Sequence, residues 1–198
     1  MENLGCVVLA AGYGKRFGGN KLTAALDGRS LILRSLETVP SEHFSSIVVV
    51  TQYPEVLKLA GEFHSAAILN DKPELGLSRS LQLGLTEVRN CEAVCFQVSD
   101  QPLLRRESVA ALCDFWRESP KKLAALGHGG VRGNPCIFPS EFFPELMALT
   151  GDIGGAAVIR RHEDVLRLLE VPAKELWDVD TPQALDEAAH ILTPEGKA

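Results

Sequence analysis

Four short apolar runs constrain the fold of this chain more than any other feature. They cover residues 6–10, 47–51, 66–69 and 94–98, and none alternates polar with apolar positions. A strand that is apolar on both faces must be covered on both, as parallel strands are when helices flank a sheet. Helical patterns fill the gaps. Residues 31–39 follow Ser30 as an N-cap, and Pro54 opens a helix carrying Val56, Leu57 and Ala60. Leu77, Leu81, Leu85 and Val88 mark one face of a third helix, and Val109, Leu112, Cys113 and Trp116 a fourth. Such alternation predicts an α/β fold: a doubly wound, mostly parallel, Rossmann-like sheet in three αβα layers. Later strands are expected at 123–126, 136–138 and 165–171, with a last helix opened by Thr181-Pro182. At 198 residues, with no linker rich in Pro, Gly or Ser, a single domain spanning 1–198 is expected.

The first strand runs into "LAAGYGKRFGGNK", residues 9–21. A dinucleotide fingerprint needs G-x-G-x-x-G, but Phe17 stands at the third glycine position. A P-loop needs Gly-Lys followed at once by Ser or Thr, and Gly19 is followed by Asn20. The loop nonetheless suits phosphates. Gly12 and Gly14 let backbone amides approach oxygen closely, and Arg16 and Lys21 add fixed positive charge. Two or three cations in so short a loop favour a triphosphate; the alternative is a flexible glycine turn with solvated cations.

Net charge is −6, which argues against a general nucleic-acid surface and makes the basic loop a local feature on an acidic body. The first apolar run is too short for a signal peptide or a membrane span, so a cytoplasmic protein with no membrane association is expected. Five scattered cysteines, without a second pair or a histidine cluster, fit reduced thiols better than a zinc site. His43, His64, His128, His162 and His190 form no catalytic arrangement. His128 is expected in a mobile loop, "GHGGVRG".

Three further segments carry chemistry. "QVSDQP" sets Asp100 just past the carboxyl end of a buried strand, where open α/β sheets hold ligands and a carboxylate can hold Mg²⁺ against phosphate. The plainer role for that residue is a turn before Pro102. "WDVDTP" supplies Asp178 and Asp180 before the last helix, which either of them could also cap. "GLSRSLQLGL" places Ser78, Arg79 and Ser80 at a helix start, with Ser78 a good N-cap.

The loop resembles the signature L-A-[AG]-G-x-[GS]-x-R-[MF]-G-x-x-K of GT-A-like nucleotidyltransferases. With "FQVSDQPLL", "RGNPCIF", "LTGDIGG" and "WDVDTPQAL" in order, the chain is similar to the molybdenum cofactor cytidylyltransferases, in the MobA-like branch of that superfamily. The resemblance spans nearly the whole chain. It implies transfer of CMP from CTP to the phosphate of molybdopterin cofactor, with pyrophosphate leaving. Nucleotide contacts are implied at Leu9, Ala10, Ala11, Gly12, Gly14, Arg16, Lys21 and Ser80. Arg16, Lys21 and Asp100 would be catalytic, and Asp180 would complete an Mg²⁺ site with Asp100, Asp178 being the reserve ligand. Asn134, where histidine is often found, and Asp152 are implied on the acceptor side. Ala156 stands where an arginine is common, and Arg160 or Arg161 would compensate. Alanine at position 11, against L-A-G-G in the guanine-using branch, points to CTP, and a molybdenum hydroxylase is the implied recipient of the product. The alternatives are a guanylyl or other nucleotidyl transferase acting on another phosphorylated acceptor, and a noncatalytic cofactor carrier.

Overall fold

The computed structural model describes residues 3–63 and 65–192, so His64 lies outside the described residues. The chain runs β1 (Leu4–Ala10), β2 (Ala25–Leu26), β3 (Arg29–Ser30), α1 (Leu31–Glu37), β4 (Ser46–Thr51), α2 (Pro54–Glu62), β5 (Ala66–Leu69) and α3 (Leu77–Glu87). It continues through β6 (Ala93–Val98), α4 (Arg106–Arg117), β7 (Leu123–His128), β8 (Val131–Pro139), α5 (Phe143–Met147), α6 (Ala156–Arg161), β9 (Leu166–Glu170) and α7 (Pro182–Leu192). Seven strands form one sheet in the order β5-β4-β1-β6-β8-β7-β9, while β2 and β3 make a separate ribbon. β8 is antiparallel to both its neighbours, and every other pair in the sheet is parallel.

The expected three-layer α/β architecture is therefore present, for the expected reason. Along β1, Leu4, Cys6, Val8 and Ala10 pack on one side with residues of α1, α2 and α4. Val7 packs on the other with residues of α3, α5 and α6. Both faces are apolar because both are covered. Helix α3 lies close on β1 because Gly84 has no side chain: a Cβ there would stand 2.3 Å from Val7 Cγ1. Two helix starts behave as their sequences predict. Ser30 accepts from the Leu33 N–H and Thr181 Oγ1 from the Ala184 N–H.

Three expectations need correction. β5 is apolar but mostly uncovered: Ile68 packs on the core, while Ala66, Ala67 and Leu69 are exposed on a strand that pairs only with β4. An apolar run cannot distinguish an edge strand from an inner one, because both present the same residues to a helix pattern. "GHGG" is a tight hairpin between β7 and β8 instead of an open loop. The Glu170 carboxylate accepts the N–H groups of Gly129 and Gly130 at 2.9 and 3.2 Å, and His128 Nδ1 lies 2.9 Å from the Val171 carbonyl. Ser78 does not cap α3, which starts one residue earlier. All five cysteines are free and buried, and no described helix is long and apolar enough to cross a membrane.

Chain order reverses around β1. From there it moves outward through β4 and β5, then returns to β6 on β1's other side. In open α/β sheets the carboxyl ends at such a switch point diverge and leave a crevice. Gly84→Ala, which drives a methyl into fully buried Val7, is expected to lower unfolding free energy by about 1–3 kcal/mol. A urea titration with a lower midpoint and unchanged slope would show it.

Candidate active site

The crevice is a cavity of about 530 Å³ lined by the loop after β1, the end of β6, the first turns of α3, and Asp152 and Asp180. Lys21 is one of the residues on its wall. Its Nζ donates to Asp100 Oδ2 at 2.8 Å and to Asp180 Oδ1 at 2.8 Å, with only 10% of the side chain exposed. Arg16 Nη2 reaches Asp180 Oδ2 at 2.7 Å from a mostly exposed position. Burial pulls the Lys21 ammonium down, but Asp100 and Asp180 outweigh it, so its pKa lies above the ordinary value. Asp180 is held below the usual carboxylate range by its hydrogen bond from Lys21, against a smaller opposing effect of burial.

The signs set the window in which this cluster holds. A lysine raised in the folded state stabilises it fully below its unfolded pKa near 10.5 and loses that contribution as pH climbs through the raised value. A lowered aspartate stabilises above 3.8 and loses that contribution as pH falls through its lowered value. Asp178 behaves oppositely. Burial and the nearby Asp100 charge raise its pKa, and Gln101 Nε2 donates to its Oδ1 at 3.0 Å. Of the two late aspartates, Asp180 is thus the one that shares Lys21 with Asp100.

Local chemistry puts Lys21 there. Asn20 Oδ1 accepts from the Leu22 N–H and starts a single tight turn, Lys21–Thr23. Ahead of it the loop folds back at Gly14, whose carbonyl accepts from the N–H groups of Phe17 and Gly18 at 2.9 and 3.0 Å. Gly14 has φ +59°, and a Cβ would lie 2.1 Å from the Gly19 carbonyl oxygen, so no other residue fits. Four successive carbonyls before that bend are each held by a side chain at 2.8 Å. Ser99 Oγ donates to Leu9, Thr51 Oγ1 to Ala10, Gln52 Nε2 to Ala11 and Tyr53 Oη to Gly12. Sequence reasoning missed all four donors. The last three sit 41 residues from their acceptors, a regularity visible only once β1 and β4 are in register.

The structure brings together most of the residues singled out from sequence. Leu9, Ala10, Ala11, Gly12, Gly14, Arg16, Lys21, Ser80, Asp100, Asp152 and Asp180 all line the cavity. Ser80 Oγ accepts from Asn70 Nδ2 at 3.0 Å, both groups buried. Asp152 caps a different helix from the one next to it in sequence: its Oδ1 accepts from the Leu77 N–H, at the start of α3. The helix next to it in sequence, α6, begins at Ala156 without a side-chain cap. Asn134 is not on the cavity wall. Its Oδ1 faces Cys136 Sγ at 3.6 Å on β8. Arg161 pairs with Glu145, and neither it nor Arg160 lines the cavity.

Among the described residues that line the cavity, one buried side-chain polar atom is unanswered. Asp100 Oδ1 is buried and has no hydrogen-bond partner among the described residues. A bare carboxylate oxygen beside a second carboxylate suits a hard cation. Among the described residues no group of three or more His, Cys, Asp or Glu could hold a metal unaided, so phosphate oxygens or water would have to complete the coordination. Lys21→Met is expected to move the Asp180 titration upward from its lowered value, as carboxyl carbon chemical shifts would report.

Comparison with known proteins agrees with this geometry. Residues 6–165 match the family described as MobA-like NTP transferase domain. The purine catabolism protein PucB of Bacillus subtilis is 28% identical over 201 residues, covering 94% of this chain and 96% of that protein. A probable molybdenum cofactor guanylyltransferase of Natranaerobius thermophilus is 29% identical over 203 residues, covering 96% and 97%. Among solved structures, a homologue of Mycobacterium tuberculosis Rv0371c from Mycobacterium sp. strain JC1 superposes with a TM-score of 0.80 at 26% identity, covering 96% of each chain.

Proposed function

Since the chain belongs to the MobA-like NTP transferase family, and so to the nucleotidyltransferases, we propose that it transfers CMP from CTP to the phosphate of molybdopterin cofactor, releasing pyrophosphate. The observation that carries this reading is the Lys21 ammonium set between Asp100 and Asp180 beneath a glycine loop. The acceptor phosphate attacks the α-phosphorus and pyrophosphate leaves in line. A phosphate monoester is already anionic near neutral pH, so no general base is required. What the reaction needs is alignment and neutralisation of charge on the phosphoryl oxygens. Lys21 and Arg16 supply that charge by turning from their carboxylate partners to the triphosphate.

Asp100, with its unpartnered Oδ1, and Asp180 are the residues that would hold Mg²⁺. When bound, the ion supplies further positive charge to the phosphate oxygens. Asp152 serves through α3, because its bond to the Leu77 N–H seats the first turn that carries Ser80 into the cavity.

The choice of CTP rests on Ala11, which lines the cavity with a methyl group where the guanine-using branch has glycine. The relative named a probable guanylyltransferase favours GTP as the second reading. A molybdenum hydroxylase is the proposed recipient of the product. Pyrophosphate release with molybdenum cofactor and Mg²⁺ should occur with CTP and not with GTP, UTP or ATP. Removing the metal with EDTA should abolish it. Lys21→Ala and Asp100→Ala should each lower kcat/KM by about 100-fold or more. Release with GTP alone would replace CTP by GTP, and cofactor binding without release from any triphosphate would make the protein a carrier.

A further inference from the structure

The carbonyls after β1 break a rule of strands. Along a strand successive carbonyls point to opposite neighbours. Leu9 obeys by pointing to Ser99 beyond β6, and Ala10 by pointing to Thr51 at the end of β4. Continued alternation would return the Ala11 carbonyl to the β6 side, where Asp100 stands. Instead Gln52 Nε2 takes it at 2.8 Å, and Tyr53 Oη takes the next, from Gly12, also at 2.8 Å. Three consecutive carbonyls, from Ala10 to Gly12, are thus drawn to three consecutive side chains of one segment.

Peptide planarity gives this a consequence. In a trans peptide the N–H of each residue points away from the carbonyl before it. Gln52 therefore sets the direction of the Gly12 N–H, and Tyr53 that of the Tyr13 N–H, both away from the 51–53 segment. Gly12 and Tyr13 both line the cavity. Two successive amides facing one side form a concavity suited to an anion. Helix α2, which follows that segment, holds the loop's far end, where Glu55 Oε1 accepts from Asn20 Nδ2 at 2.9 Å. Burial, with Glu55 nearby, raises the pKa of Tyr53 and keeps on its hydroxyl the proton that it donates.

We propose that Gln52 and Tyr53 are positioning residues of the polyphosphate site, holding the Ala11 and Gly12 carbonyls aside so that the amides of Gly12 and Tyr13 face the anion. This rests on the triphosphate reading given above, and the two can fail separately. The probe is inorganic tripolyphosphate, titrated by calorimetry into the full chain and into Tyr53→Phe and Gln52→Leu variants. Each variant should raise Kd about five- to tenfold, the scale of one hydrogen bond near a charge, with the melting temperature unchanged. Amide spectra add a readout that general destabilisation would not produce. Tripolyphosphate should shift the Gly12 and Tyr13 amide protons downfield in the native protein, and Tyr53→Phe should diminish the Tyr13 shift selectively. Native-like affinity and shifts in both variants would overturn the positioning role and leave the triphosphate reading intact. Weaker binding accompanied by lowered melting in both variants, with no selective loss at Tyr13, would also overturn it in favour of a structural role. Failure of the native protein to bind tripolyphosphate would overturn both.

Discussion

One ammonium group joins three distant parts of this chain. Lys21 hydrogen-bonds Asp100 and Asp180 at once, and with little solvent around it the cation has no substitute for either carboxylate. Withdrawing one partner from such a cluster leaves a poorly solvated charge uncompensated, which costs far more than losing a surface ion pair. The loop after β1, the end of β6 and the start of α7 therefore converge on this point. Two cations, Arg16 and Lys21, meet two carboxylates, Asp100 and Asp180, so the cluster is close to neutral before any substrate arrives. On the proposed reading, a polyphosphate would compete with those carboxylates for the same two cations, and a divalent cation would compete with the cations for the same two carboxylates. Each ligand would thus release the partners that the other requires.

The sheet makes that convergence possible. β1 lies between β4 and β6 and is parallel to both, so all three carboxyl ends open on the same crevice. Just past the end of β6 stand Ser99 and Asp100, one holding the loop backbone and the other the lysine. β4 contributes Thr51, and Gln52 and Tyr53 follow it to hold the next carbonyls. The basic loop is rich in glycine and would wander if left to itself. Its order is imposed by side chains from both neighbouring strands and by its own fold at Gly14.

Much of this was legible beforehand because it is local. Unalternating apolar runs implied strands covered on both faces, and Ser30 and Thr181 announced helix starts that their own hydroxyls cap. The cationic glycine loop and the aspartate after β6 pointed to phosphate chemistry without any structure. The errors share a cause. Ser78 has the chemistry of a cap, yet the group bonded to the first amide of α3 comes from Asp152, 75 residues away. β5 looked like its neighbours because an edge strand differs from an inner one only in what lies beside it.

The sequence by itself determined that the fold is a layered α/β sheet, where its main strands and longer helices lie, and that Arg16, Lys21, Asp100, Asp178 and Asp180 are the charged side chains in segments suited to phosphate. Those are matters of side-chain type and spacing over a few residues. Tertiary structure alone decided that Asp180 and not Asp178 shares the lysine, that Asp152 belongs to α3, and that Asn134 lies off the cavity wall. It also decided that Gln52 and Tyr53 hold the loop. Each of those outcomes depends on strand register and helix docking between residues far apart in the chain. A hydrogen bond tolerates only a few tenths of an ångström, and no local pattern encodes distance between segments that finely.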